Sequence, residues 1–497
     1  MPLKVNTIAE KLRRIGSRVK PWFRKKWLWA IATVLILIVS SAIYCISANP
    51  YSSDTFVQAP FTTHFSNGKV VLTTRYTPHF YSGWLASAVG YYEQAVTVVW
   101  DRLSSPKMPA GSEQSIVDNI YKLRFNPNKP YIISGDQFGG LYIRNMSIFY
   151  QDLLDPQTAI NTTDLHNRER IAVQSLAYAL SSMQQLHHPV TTLLPITPRR
   201  ALAFNFWNYP SDSMFSIFAL LTKLESIPAT RQVAFQLQHQ YGSGIEASLQ
   251  NYLLTVRNPQ TGLVRSNIHL SGARDAAFRE SSFYDNVILW KTEQLGTNLG
   301  FYHATPAGLA SLRQTIINRY WDNSQGHFID DLTPGHQHSY SSDWLITLPL
   351  GFLDPANQTD RAKLIAISKY IDDKHLAEPL PIRYTADHVT EDFFVRFFAG
   401  SYGTTAIWSY WGDLYITLET NLYQQTHQPL YAHHVETALS SWSSVIIRDR
   451  GYPETLDGKG KMYETLVYES IRRNGWVVDF ESVADNWQRV NHSINSQ

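Results

Sequence analysis

Carboxylates stand among aromatic and turn residues in three stretches of the sequence, 135–150, 259–290 and 450–475. The first, GDQFGGLYIRNMSIFY, runs from a glycine-rich turn into Tyr142, Arg144 and Asn145, where a helix is expected to open. Arg and Asn at such a junction can donate hydrogen bonds to hydroxyls, and Asn145 can equally be a helix cap. The second stretch gathers Arg274, Asp275, Arg279, Glu280 and Asp285 just before an aromatic-rich helix start, so Asp285 is either a site carboxylate or an N-terminal cap. The third puts Glu454 after Pro453 on a loop flanked by Gly451 and Gly458, either held there by the turn or simply exposed. Two carboxylates from distant parts of a chain can cleave a glycosidic bond. One protonates the leaving oxygen and the other activates water, and a separation of about 6.5–9.5 Å gives inversion. The acid must still carry a proton near neutral pH, which an apolar or acidic setting provides. Aromatic rings supply that setting and stack on the C–H face of a sugar, and the chain holds 14 Trp and 28 Tyr.

Helices must position these groups. Apolar residues recur at helical spacing over 84–103, 145–154, 168–186, 211–224, 229–256, 285–295, 306–320, 358–371, 391–398, 404–424, 430–448 and 463–474. Stop signals such as Asn258-Pro259, Thr305-Pro306, Asp354-Pro355 and Tyr452-Pro453 separate them. Strands are too few for a parallel sheet, although residues 70–77 read as one, and no fixed repeat period is present. A dozen helices without a composition break between 83 and 490 fit an all-α toroid of six outer and six inner helices, an (α/α)6 barrel, with residues 48–82 as an extended lead-in.

The 497 residues are 44% hydrophobic and 17% charged, which excludes disorder for the bulk of the chain. A single Cys, Cys45, excludes an intramolecular disulfide framework and Cys-rich zinc modules. Residues 1–26 carry nine Lys or Arg against Glu10, so the remainder has 34 basic against 40 acidic residues. A mildly acidic body has no face for phosphate neutralisation, and nucleic acid is not an expected partner. Residues 27–47 hold no charge, extend over roughly 30 Å as a helix, and follow Arg24-Lys25-Lys26. They read as a single transmembrane signal anchor, with a cytoplasmic tail over 1–26 and an extracytoplasmic domain over 48–497 at the cell membrane.

The segment WDNSQGHFIDDL over 321–332, preceded by Arg319-Tyr320 and followed by Ser341-Ser342-Asp343-Trp344-Leu345 and Leu348-Pro349-Leu350, resembles a recurring stretch of the six-hairpin glycosidases. These include trehalases, glucoamylases and the glucosidase domain of debranching enzymes. In them a helix ends in a Tyr-Trp-Asp turn, a short hairpin follows, and a Leu-Pro segment starts the next helix pair. Residues 135–150 resemble the early glycine-rich signature of the trehalase branch, 280–286 the acid-bearing segment, 402–413 (YGTTAIWSYWGD) a late Trp-bearing segment, and 451–454 a Gly-x-Pro-Glu stretch. The resemblance covers about residues 130–480 and lies in the order of its motifs. It implies Asp285 as general acid and Glu454 as general base, with Tyr142, Arg144, Trp408 and Trp411 holding the terminal sugar. Relatives carry Asp where Asn145 stands, so Asp212 is a second candidate for gripping hydroxyls. The acid-bearing stretch is one residue longer than the usual pattern, which keeps Glu280 as an alternative acid.

Metal chemistry has little to recommend it, because His187-His188, His336-Gln337-His338 and His433-His434 lack a completing carboxylate or Cys at ligand spacing, although a structural calcium on Asp330-Asp331 stays open. No phosphate loop, dinucleotide fingerprint or Gly-x-Ser-x-Gly elbow is present. The expectation is a monomeric, membrane-anchored inverting glycoside hydrolase that needs no cofactor and takes a carbohydrate substrate. The alternatives are an inactive carbohydrate-binding protein on the same fold, motivated by Asn145, and a glycoside phosphorylase.

Overall fold

A computed structural model describes residues 21–47, 59–104, 108–126, 128–133, 135, 139–147, 149–197, 199–274, 277–386, 395 and 399–496. Residues 1–20 of the basic tail, 48–58 of the lead-in, 136–138 of the glycine-rich turn, Asp275 and all but Val395 of the helix expected over 391–398 lie outside the described residues. The chain divides into two compact units, Met1–Thr55 and Phe56–Gln497.

The first unit holds α1, Pro21–Ser47, a helix of 27 residues. Its described side chains run from position 26 to 41, and Trp27, Leu28, Trp29 and Ile36 among them are exposed. Among the described residues no helix is long and apolar enough to cross a membrane. This corrects the sequence reading on every point that depended on the anchor: the transmembrane helix in the fold, the membrane as partner, and the single-pass cell-membrane location with an extracytoplasmic domain.

The second unit is built of helices. In chain order they are α2 (Trp84–Ser104), α3 (Glu113–Arg124), α4 (Phe149–Leu153), α5 (Thr162–Leu186), α6 (Ser213–Ser226), α7 (Arg231–Val256), α8 (Phe283–Asn298), α9 (Pro306–Tyr320), α10 (Gln358–Asp373), α11 (Ser409–Thr426), α12 (Pro429–Asp449) and α13 (Val477–Asn495). A 3-10 turn over Ile143–Met146 precedes α4, and a second over Ser342–Thr347 lies between α9 and α10. Local chemistry sets many starts: Asn161, Ser282 and Asn357 cap α5, α8 and α10 with side-chain oxygens, and Thr305 caps α9 with Pro306 at its first position.

Packing turns these elements into a closed ring. Along the inside α4 packs on α6, α6 on α8, α8 on the Ser342–Thr347 turn, that turn on α11, α11 on α13, and α13 back on α4. Outside, α5 packs on α7 and α12 on α3. Along the chain outer and inner segments alternate as α3 and α4, α5 and α6, α7 and α8, α9 and the 3-10 turn at Ser342–Thr347, α10 and α11, and α12 and α13. This is the mostly helical six-hairpin toroid expected from the sequence. One continuous apolar cluster joins outer and inner helices and includes Ile171, Phe218, Ile288, Trp344, Ile416 and Trp442.

Two differences from the expected elements stand out. Residues 463–474 are not helical: Tyr463 N–H donates to Thr455 C=O, and Ser470 N–H to Tyr463 C=O, so their apolar spacing serves a folded loop. The last inner helix is instead α13, whose buried residues are its first turn, Val477–Phe480, and Trp487.

Because outer and inner helices alternate, the inner ones all run the same way. Their N-terminal ends, and the segments leading into them, meet at one mouth. Short strands lie in the segments between helices. The strands are β1 (Phe61–Ser66), β2 (Lys69–Thr74), β3 (His79–Tyr81), β4 (Leu141–Tyr142), β5 (Thr192–Thr197), β6 (Arg200–Phe204), β7 (Tyr209–Pro210), β8 (Leu270–Ser271), β9 (Trp321–Asp322), β10 (His327–Phe328), β11 (Ile407–Trp408) and β12 (Thr455–Leu456). β1 and β2 form a hairpin, and β3, β6, β5 and β4 form one sheet in that order. β7 and β8 pair in parallel with Pro210 beside Ser271, and β11 pairs antiparallel with β12, with Trp408 opposite Thr455.

Candidate active site

The β7–β8 pair and the α8 start assemble one wall of the mouth. Ser282 caps α8 by accepting from Asp285 N–H at 3.0 Å, and its hydroxyl donates to Asp285 Oδ2 at 2.6 Å. Asp285 is 3% exposed, and its Oδ1 has no hydrogen-bond partner among the described residues. Gly272 is what lets the β8 segment approach so closely: a Cβ there would stand 2.8 Å from Asp285 Oδ1 and 3.0 Å from Ser211 Oγ.

Arg144 crosses from the 3-10 turn before α4 to the same wall. It donates to Gly272 C=O at 2.7 Å and to Ser271 Oγ at 3.0 Å, and its Nε lies 3.6 Å from Asp212 Oδ2. Asp212 stands at the start of α6 and accepts from Tyr284 at 3.3 Å. Burial, and then the Asp212 charge, push the Tyr284 phenol well up, so it stays a donor. Of the residues expected to hold sugar, Arg144 and Asp212 are thus brought to Asp285. Asn145 is half-buried in the same turn. Tyr142 turns aside, its hydroxyl donating to Gln94 of α2 at 2.8 Å. Glu280 is half-buried, its backbone N–H donating to Thr333 Oγ1 at 3.1 Å.

Glu454 forms a second wall, on the loop that leads into α13. Its N–H donates to Ile471 C=O at 2.8 Å, and its carbonyl accepts from Ser409 N–H at 3.1 Å. Gly451 is required beneath it, because a Cβ there would meet Arg472 C=O at 2.4 Å. The Glu454 residue is 8% exposed; its Oε2 accepts from Tyr402 at 2.9 Å and from Tyr468 at 3.5 Å. Burial and the Glu454 charge raise the Tyr468 phenol, which keeps its proton.

An aromatic wall runs between the two carboxylates. Tyr284 meets Trp411 edge-on at 6.5 Å, Trp411 stacks on Tyr384 at 5.8 Å, Tyr384 meets Trp408 at 5.3 Å, and Trp408 meets Tyr402 at 4.7 Å. Trp408 and Trp411 are buried, so they are wall rather than open platform.

Behind that wall lies an ion network that sequence reasoning missed. Arg274 donates to Asp330 Oδ2 at 2.6 Å and to Gly403 C=O at 2.6 Å. Arg279 donates to Asp330 Oδ1 at 2.9 Å and to Asp343 Oδ2 at 2.6 Å. Burial alone would raise Asp330, but the two guanidiniums hold it below the ordinary carboxylate range. Arg274 also lies over the Tyr384 ring at 5.3 Å, which couples the network to the aromatic wall. The signal available beforehand was the pairing of charged 274–280 with the Asp330 and Asp343 motifs, and nothing local says which partners meet.

The histidines have structural partners: His336 faces Asp331 and His338 faces Asp322, while His434 binds Glu419 at 2.9 Å. Among the described residues no group of His, Cys, Asp or Glu is arranged to hold a metal ion.

No family model matches the chain, and no curated protein matches it. Solved structures do. The chain is similar to a rhamnosidase from Klebsiella oxytoca with rhamnose bound, at 13% identity and TM-score 0.47, over 77% of this chain and 66% of that one. It is also similar to a wild-type glycosidase, at 9% identity and TM-score 0.48, over 76% and 97% of the two chains. A cellobiose 2-epimerase from Bacillus thermoamylovorans matches at 11% identity and TM-score 0.49, over 75% of this chain and all of that one. Function is reasoned from the ring and the groups at its mouth.

Proposed function

We propose that the Phe56–Gln497 unit is a glycoside hydrolase that cleaves glucosidic or related bonds with inversion. The observation that carries this reading is the state of Asp285: buried at the mouth of the ring, one oxygen held by Ser282, the other without a partner among the described residues and facing the Gly272 backbone. A buried unpaired carboxylate oxygen costs stability unless something else uses it. In the proposed reaction Asp285 protonates the leaving oxygen. Glu454, fixed by Tyr402 and Tyr468, takes a proton from the attacking water. Arg144 and Asp212 take the hydroxyls of the terminal sugar.

The test is incubation of the purified protein with α-linked disaccharides and polysaccharides, following reducing sugar and, by NMR, the anomer released first. The expected product has the inverted configuration. Asp285→Asn and Glu454→Gln should each lower turnover by about 10²–10⁴-fold with an unchanged far-UV spectrum. Turnover that survives both substitutions overturns the assignment. Strict dependence on phosphate points to phosphorolysis, and binding without release to the inactive reading.

A further inference from the structure

The far end of the ring carries a second concave feature. α6 runs from the mouth to Ser226, and α7 begins there. A groove of about 720 Å³ lies at this junction, lined by Lys69 of the β1–β2 hairpin and by Arg231, Gln232, Phe235, Gln236 and His239 of α7. Gln232, Phe235, Gln236 and His239 recur at i, i+3, i+4 and i+7 and so share one helix face. The groove's lining includes two permanent cations and no carboxylate.

The groove is preformed. Val70 N–H donates to Ala229 C=O at 2.9 Å, which fixes the hairpin to the start of α7. Lys69 Nζ donates to Gln232 Oε1 at 3.1 Å, and Arg231 Nε donates to Glu225 C=O at 2.9 Å. Arg231 therefore also complements the C-terminal end of α6. An ammonium has three donors, so Lys69 keeps capacity beyond Gln232. Phe235 is 51% exposed beside these groups. An exposed ring alone means little. A ring flanked on its own helix face by two amides, with cations at the edge, matches a ligand that combines an apolar face, hydroxyls and negative charge.

We propose that this groove binds a segment of an acidic polysaccharide, its sugar face on Phe235, its hydroxyls on Gln232 and Gln236, and its carboxylate or sulfate groups on Lys69 and Arg231. A nucleic acid fits less well, since two cations neutralise too few phosphates for useful affinity. The site lies away from the mouth and does not depend on the hydrolase reading.

Affinity electrophoresis of the full chain tests it, with polygalacturonate, dextran sulfate or neutral dextran cast in native gels. The expected result is retardation by at least one acidic polymer and none by dextran. The acidic polymer that retards assigns carboxylate or sulfate as the recognised group. Phe235→Ser and Lys69→Gln should each weaken binding roughly fivefold or more, with turnover at the mouth unchanged. Migration unaffected by either acidic polymer, equal retardation by dextran, or wild-type retardation in both variants overturns the proposal.

Discussion

Replacing Asp479 or Asp413 with Asn should flatten the dependence of stability on pH. Asp413 of α11 and Asp479 of α13 are buried inside the ring, and Asp152 of α4 is hydrogen-bonded to Asp479. Tyr452 donates to Asp413 Oδ1 at 2.6 Å and Ser482 to Asp152 Oδ1 at 3.0 Å, but Asp413 Oδ2 and Asp479 Oδ2 have no hydrogen-bond donor among the described residues. Burial first, and then the neighbouring carboxylates, push both Asp413 and Asp479 well above the ordinary range. The sign follows from linkage. Their unfolded pKa is about 3.9, so the folded protein keeps two protons that the unfolded chain releases. The stability they allow is complete below the unfolded value and is lost as pH rises toward the folded ones. Where the folded protein keeps a proton that the unfolded chain has released, stability falls by about 1.4 kcal/mol per pH unit for each such proton. Asn cannot ionise, and each substitution should remove about 1.4 kcal/mol per pH unit from the slope. Urea midpoints measured at pH 5, 6 and 7 for wild type and variants give the comparison, with all other titrations cancelling in the difference. Parallel lines for wild type and Asp479→Asn would refute the buried-proton reasoning.

Gly272→Ala should lower turnover sharply while leaving the fold intact, since its Cβ would press on Asp285 Oδ1; turnover and thermal melting of the same preparation separate the two effects. Tyr402→Phe removes a donor to the Glu454 carboxylate, so the base becomes harder to ionise and the acidic limb of the pH–rate profile should move to higher pH. Arg279→Met leaves Asp330 and Asp343 buried with one guanidinium fewer, and should cost about 3–5 kcal/mol by denaturant unfolding.

Much of the ring was legible because its helices keep apolar residues at helical spacing and end at Pro or Asn. The stretches 306–320 and 358–371 fall within a residue or two of α9 and α10. Short or highly polar elements were not legible. α3 buries only a narrow stripe, α13 only its first turn and Trp487, and the inner segment Ser342–Thr347 is too short to show a period. At the mouth, Asp285 announced itself by its place at a helix start, and Glu454 by the Gly and Pro around it. The partners of Arg274 and Arg279 lie more than 50 positions away in the chain, at Asp330 and Asp343, and no local pattern encodes such a meeting. The span over 27–47 was read from its uncharged run and its basic flank, but among the described residues no helix is long and apolar enough to cross a membrane.

Each inner helix is entered through its own connecting segment, and every group with chemistry at the mouth rides on one of these six segments or on the first turn after it. Changes of length or composition in one such segment reshape a single side of the opening while the scaffold stays as it was. An architecture divided this way lets specificity drift segment by segment, so chains that share almost no identical residues can keep the same rim and select very different guests.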